Sequence, residues 1–588
     1  MPESPLLHSD GTVGVTVKLG GRTVPDVTQI ISVAVIKDIG TIPEATLSIV
    51  VGDPLVDEAQ ELNGSQFKLG ATITIAAHYG DHEHHPLFDG LITGIRFRAE
   101  PGGRFRLDMT CRDTAVKLLE LRGSAIYDEM TDSAVMTKII QDAGLQADVA
   151  ATDDAAASRL RHATSDWEFL RILADRNGFV LFADVGKITI AAPATDTEAP
   201  LSVALGRDLI DFDVTIDAQR AIGSAAIAAW NPQDQTVTNT SNSHLPDMTL
   251  GSTTSAAIAA VLGRRVRATS TAANIAEADL GRIAKSRVMR SAMAALRGRC
   301  RFQGSGMIKP GDMLEIKGTG ALFSKTAYVS GVRQTIKNGN WITETTLGLP
   351  ADRAADRPVA GSSMTGEITA PLLGLQIGKV MTIAEDPSGD QRIKVKLPMV
   401  GDPAAEVWAR YCQPYASKAA GIQFMPEVDD EVVIGFLSAD PNAPIVLGAL
   451  HSAALPQAIA PEVANNQKGI ITREDLKILF DDDKKIITLS TPGGHSIKLD
   501  DDAKELTLAD MNGNTVIFSA SGIAVKSDKD ITITATGKID LKASQDATVK
   551  GMNVTCNGDT GFTGKGGATA ELSSGGQTTV KGAMVMIN

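Results

Sequence analysis

The sequence predicts a mainly β protein, and three observations carry that reading. Residues 11 to 110 alternate apolar and polar side chains in short runs closed by Gly, Pro or Asp. Between Leu375 and His451 five such runs are packed into about 75 residues. From Ile523 onward aliphatic residues recur every eight positions. At 588 residues the chain has room for several domains, since a domain takes roughly 100 to 200.

In chain order, GTVGVTVKLG, ATLSIVVGD, ATITIAAHYG, GLITGIRFRAE and GRFRLDMTCRD read as strands of a small barrel or sandwich. Two helices follow. In the first, Ser133 to Ala143 places Val135, Ile139 and Ile140 on one face; in the second, Ser165 is positioned to cap a run containing Trp167, Phe169, Leu170 and Leu173. GFVLFADVGKITIAA is a hairpin turning at Asp184 to Gly186. The Ala-rich, Pro-free stretch from Ala272 to Leu296 carries Ile275, Leu280, Ile283, Val288 and Met289 near helical spacing. Strands resume at GMIKPGDMLEIKG and run to TETTLGLPA; Ala351 to Pro371 then lacks periodicity and reads as a linker.

IGKVMTI, QRIKVKLP, EVWARYCQPYA, EVVIGFLSAD and APIVLGAL make five short strands, the size of an OB-fold barrel. In the tail, Ile523, Ile531, Ile539 and Ala547 are eight apart, with Val525, Ile533, Leu541 and Val549 two after each. Two alternate inward positions per eight residues describe a short strand plus a turn, repeated. The pairs Ile497/Leu499, Leu506/Leu508 and Val516/Phe518 precede them at looser spacings.

One chain cannot stabilise such a repeat alone. Each turn offers two aliphatic side chains worth ~1.5 to 3 kcal/mol apiece, against backbone ordering of ~1 to 2 kcal/mol for each of the eight residues. Intertwining copies would pair every strand edge with a neighbour and bring inward residues onto one axis, so the repeat predicts a homo-oligomer, most simply threefold. A narrow axis also explains the aromatics: 4% of the chain, with all four Trp (167, 230, 341 and 408) before residue 409.

The net charge of −14 argues against a surface given over to nucleic acid or anionic membrane. Cys111, Cys300, Cys412 and Cys556 form no CxxC pair, which fits a reducing compartment. No Lys or Arg precedes Lys18 and no apolar run approaches the ~18 residues of a membrane span. The expectation is a protein made in the cytoplasm without a cleavable signal.

The words GKVMTIAEDPSGDQRIKVKLP, VWARYCQPYA, GIQFMPEVDDEVVIGFLSADPNAPIVLGALH and NNQKGIITREDLKILFDD occur in that order. This segment closely resembles the OB-fold domain of VgrG and the spike proteins of contractile injection systems: type VI secretion, extracellular injection particles and phage tail hub-spikes. Upstream, PLFDGLITGIRFR, FRLDMTCRDTAVKLLELR and SDWEFLRILADRNGFVLF resemble the hub domain of that family, and the octad tail resembles its triple-stranded β-helix. The resemblance implies a tail-hub domain over 1–350 with two tube-like β-barrels plus helices, a linker over 351–371, an OB-fold collar over 372–451, a linker over 452–468 and an intertwined needle over 469–588. It also implies a homotrimer mating with a sixfold inner tube protein and baseplate proteins. The needle would be driven into a target cell envelope, carrying effector cargo, from a particle that is assembled in the cytoplasm and fired or released outside.

Some features of the family are missing from the residues. Only 17 residues, Ser452 to Lys468, lie between collar and needle, too few for the glycosidase that phage tail-lysozyme spikes carry there. No His follows His495, so the His-x-His metal site that closes certain phage needles has no counterpart. The expectation is a blunt apolar tip, Met584, Val585, Met586, Ile587 and Asn588, capped by a PAAR-type protein. The needle core is assigned to Ile523, Val525, Ile531, Ile533, Ile539, Leu541 and Val549.

Other motifs read as structure. His78, His82, His84 and His85 match neither HExxH nor a finger spacing and fit a polar hairpin loop better than a zinc or nickel site. GDTGFTGKGG has Asp559 where a P-loop needs Gly, and Gly566 where it needs Ser or Thr. Ten Lys or Arg against Glu277 and Asp279 between Arg264 and Arg301 suggest nucleic acid only weakly beside a solvated or ion-paired helix. Asp429/Asp430, Asp481 to Asp483 and Asp500 to Asp502 read as turn acids, and no GxSxG elbow is present. The reading is therefore a mechanical protein with no catalytic, cofactor or metal residues. The alternatives are a cell-wall hydrolase and an OB-type single-strand nucleic-acid binder.

Overall fold

The computed structural model describes the whole chain except residues 1, 8, 26–27, 53–66, 101–103, 120–122, 154–155, 232–235, 243–244, 246–248, 251, 267–269, 272–274, 353–371, 399–404 and 588. The predicted linker therefore lies almost wholly outside the described residues. Two compact units result, Met1–Pro456 and Gln457–Asn588. Strands dominate both, and no described helix is long and apolar enough to cross a membrane.

The first unit is built on a thirteen-stranded sheet. Its N-terminal part takes in Val13–Leu19, Ile30–Asp38, Glu44–Val51, Thr72–Tyr79, His85–Glu100 and Arg104–Arg112, the strands expected from alternation together with Ile30–Asp38. Leu209–Ile216, Leu296–Gln303, Met313–Lys317, Thr326–Lys337 and Asn340–Leu347 supply its later part. The two halves meet where Ile30–Asp38 pairs with Thr326–Lys337, so the strands for both expected barrels share one hydrogen-bonded ladder while keeping separate cores. Trp341 belongs to the first core. Its indole Nε1 donates to Gln334 Oε1 at 2.8 Å and its ring stacks on Tyr79 with centroids 5.1 Å apart. Gly304 lies against that ring, where a Cβ would come within 2.1 Å of it.

Between the halves sits a helical module. Helix α1 is Asp132–Asp142, capped by Thr131, and α2 is Asp166–Asn177, capped by Ser165, whose Oγ accepts from Glu168 N as the sequence anticipated. Their apolar faces pack with the hairpin Val180–Asp184/Lys187–Ala191. A short helix α3, Ser255–Leu262, precedes α4, Glu277–Ala294. Helix α4 begins at the two acids that favour its N-terminal dipole, a few residues inside the predicted span.

Asp132, fully buried, ties this module together. Its carboxylate accepts from Arg159 Nε at 2.7 Å and from Asn177 Nδ2 at 2.8 Å, with Arg176 Nε at 3.6 Å. Arg176 reaches on to Asp279 of α4. Burial acts to raise the Asp132 pKa, but the two guanidiniums and the hydrogen bonds outweigh it and hold the carboxyl below its ordinary value.

Candidate functional site

The collar is a closed five-stranded barrel of Gln376–Thr382, Arg392–Leu397, Ala405–Tyr411, Glu431–Phe436 and Pro444–Ala449, the five strands read from the sequence. Val380, Ile393, Val395, Leu397, Val432, Ile434 and Val446 fill it, and Leu160 joins them from the ribbon Ala157–Thr164. At one turn Asp386 accepts from Arg392 and from the Ser388 amide. Burial opposes this, yet those bonds bring its pKa to about 2.

Among the described residues over 372–451 two aromatics, Tyr415 and Phe424, are more than half exposed. Trp408 lies opposite Lys394, which is engaged by Glu406 at 3.0 Å, and Tyr411 packs against the core; of the three aromatics only Tyr415 is more than half exposed. Four of the ten basic residues between Arg264 and Arg301 are ion-paired. Arg282 pairs with Asp279 and Asp153, Arg290 with Asp175, Arg299 with Asp211 and Asp213, and Arg301 with Glu344.

The histidines do not converge. His78 Nδ1 bonds the Gly80 carbonyl at 2.8 Å while its ring stacks on His84; His82 reaches Asp10 and His85 lies by Trp341. Among the described residues no group of three or more His, Cys, Asp or Glu could hold a metal ion. The acid runs shape turns. Asp481 Oδ1 accepts from Lys484 N, Asp500 Oδ1 from Ala503 N, and Asp430 Oδ2 from Glu427 N. Asp510 behaves alike, its pKa lowered to about 2 by hydrogen bonds from Asn514 and Asn512. The glycines of GDTGFTGKGG lie in extended chain with bends, without the strand-to-helix turn of a phosphate loop.

The surface that stands out is in the second unit. Seven strands, Gln467–Ile471, Lys477–Asp481, Ile486–Ser490, Ser496–Asp500, Glu505–Ala509, Thr515–Ser519 and Gly522–Lys526, form an antiparallel meander. The register sets apolar residues directly opposite one another throughout. Ile478 faces Leu489 and Phe480 faces Ile487; Leu489 faces Ile497 and Leu499 faces Leu506; Leu508 faces Val516 and Phe518 faces Ile523. Opposed residues in an antiparallel pair share a face, so one face from Ile470 to Val525 is aliphatic and aromatic. The other carries Lys477, Thr488, Lys498, Thr507 and Thr515 among its residues. Nothing in its own unit covers the apolar face: Phe480, Ile497, Leu499 and Phe518 are all about 40% exposed.

Beyond Lys526 no described residue belongs to a strand. The predicted core positions Ile523, Val525, Ile531, Ile533, Ile539, Leu541 and Val549 are 49% to 86% exposed in the single chain, as are the tip residues Met584, Val585, Met586 and Ile587 at 50% to 90%; Asn588 lies outside the described residues. The sequence reading began the apolar pairs at Ile497 and missed Ile478/Phe480 and Ile487/Leu489. Their alternation was visible, but their spacing of nine and ten hid the period.

Comparison with known proteins decides the family. The profile of the Alg8 N-terminal domain matches residues 9–338, more than half of the chain. The chain belongs to the Alg8 N-terminal domain family. Downstream of this match, residues 376–451 match the type VI secretion system/phage-baseplate injector OB domain, so the resemblance holds over the barrel itself. Comparison with curated proteins found no match. Among solved structures, the Francisella PdpA-VgrG complex is similar in its lidded form, at 10% identity and a TM-score of 0.52 over 89% of this chain and 81% of that one. The half-lidded form gives 9% and 0.52 over 88% of each chain. An E. coli type VI secretion component, described as similar to T4 bacteriophage tail proteins gp27 and gp5, gives 14% and 0.47 over 74% of this chain and 99% of that one. The chain thus shares the fold of the VgrG complex structures.

Proposed function

We propose that this protein is the trimeric hub and spike of a contractile injection machine. The observation that carries the reading is the uncovered apolar face of the second unit, continued by a strandless octad repeat. A sheet of this size leaves such a face open only when another layer is supplied from outside. Two further copies of the chain supply it while pairing every free strand edge, giving an intertwined β-helix. Stiffness would come from interchain hydrogen bonds and no bond-making step is assigned.

By analogy with the family, the hub would mate with an inner tube protein and baseplate proteins. The apolar tip would seat a PAAR-type protein, and effector cargo would travel to the target envelope. The particle would assemble in the cytoplasm. The PdpA-VgrG neighbour, a VgrG in complex with another protein, supports a spike that carries partners. Size-exclusion chromatography with light scattering tests the core of the proposal. The expected mass is about three times the 61.7 kDa chain, and a well-folded monomer would sink it.

A further inference from the structure

Beyond Lys526 the backbone bends at 528–529, 536–537, 544–545, 552–553, 559–560, 567–568, 575–576 and 583–584. Successive bends are eight residues apart except one: the step from 552 to 559 is seven. In the repeats before this step the aliphatic pair sits three and five residues after the first bend position, as in Ile531/Ile533 and Ile539/Leu541. An odd step reverses strand alternation, because side chains point to opposite faces with period two. The axial register of the second half of the needle therefore cannot be the simple continuation of the first.

Resting on the proposed trimeric needle, we propose that the seven-residue repeat shifts the register by one residue. Val554 and Cys556 then face the threefold axis, and Phe562, Leu572 and Val580 fill it towards the tip. Without the shift, the octad would carry Thr563/Lys565, Glu571/Ser573 and Thr579/Lys581 onto the axis, burying three copies of each charge. With it, the pairs become Phe562/Gly564, Ala570/Leu572 and Thr578/Val580, and those charges turn outward. Phe562 is the only aromatic residue after Phe518, and Gly564, two positions on, leaves room for three rings on a narrow axis.

Bend spacing places the shift at one end or the other of the short repeat; the side chains place it at the start. The pair Thr555/Asn557 would bury three amides, whereas Val554/Cys556 buries small apolar groups. Asn557-Gly558 is moreover a turn dipeptide that belongs to the bend at 559.

The test is disulfide trapping in the full chain. Cys412, the other exposed cysteine, is replaced (Cys412→Ser), and the trimer is oxidised with diamide and run on a non-reducing gel. Three Cys556 thiols around an axis can form one disulfide, so about two-thirds of the chains are expected as a linked dimer and the rest as monomer. In the same background Cys556→Ser with Asn557→Cys is expected to give no dimer. Trapping through position 557 alone, through both positions or through neither would overturn the register. If light scattering shows a trimer in those samples, the spike reading survives that result; if the parent chain is not a trimer, the spike reading itself falls.

Discussion

Asp132 shows how one residue holds the hub together. Its fully buried carboxylate sits between Arg159 and Arg176, and removing it takes the shared carboxylate away from two buried guanidiniums. Breaking a buried pair in this way costs about 3–5 kcal/mol. Asp132→Ala should therefore lower the transition of the first unit in calorimetry of the full chain by several degrees; an unmoved transition would show that the network is not integral to it. The pH sign follows from the direction of the shift. A carboxyl held below its ordinary value gives stability that is present above about pH 4 and lost as the pH falls through its lowered pKa. Asp132→Asn should flatten the acid limb of the hub transition relative to the unsubstituted chain. Nothing in sequence spacing joined position 132 to 159, 176 and 279, because the contacts are long-range.

At the scale of elements, the octad repeat is, in the proposed trimer, an amphipathic segment that relies on copies of itself. Replacing Ile531 and Ile539 by Asp would place carboxylates on the proposed axis three at a time, at a cost of several kcal/mol per site. The double variant should fail to form a protease-resistant needle while the hub and collar transitions persist in calorimetry. An unchanged trimer of unchanged melting behaviour would refute the inward assignment of both residues. The barrel strands over 376–449 were legible one by one because each buries its apolar face within its own chain, whereas Ile30–Asp38 and Leu209–Ile216 of the large sheet were not read from the sequence. Alternation of apolar and polar residues marked all five collar strands, and capping by Ser165 marked the start of α2.

For the whole molecule, the two units carry opposite solutions to burial. The first unit closes its cores with Trp341, Tyr79, Trp167 and aliphatic layers. The second exposes large apolar residues down to a tip whose Met584, Met586 and Ile587 are at least 79% exposed. Deleting Met584 to Asn588 should abolish co-purification of a conical tip protein without dissociating the trimer. Retained tip binding would place that contact elsewhere.

The sequence by itself determined the mainly β class, the five strands of the barrel over 376–449 and the eight-residue period of the tail. These depend on local period and turn chemistry, which a single chain carries in full. Tertiary structure decided the rest. It joined the two parts of the large sheet into one ladder through Ile30–Asp38 and Thr326–Lys337, clustered the charges around Asp132, stacked His78 on His84 and showed that the apolar face of the second unit begins at Ile470. Each of these depends on which distant residues meet, and sequence spacing along the chain does not encode that.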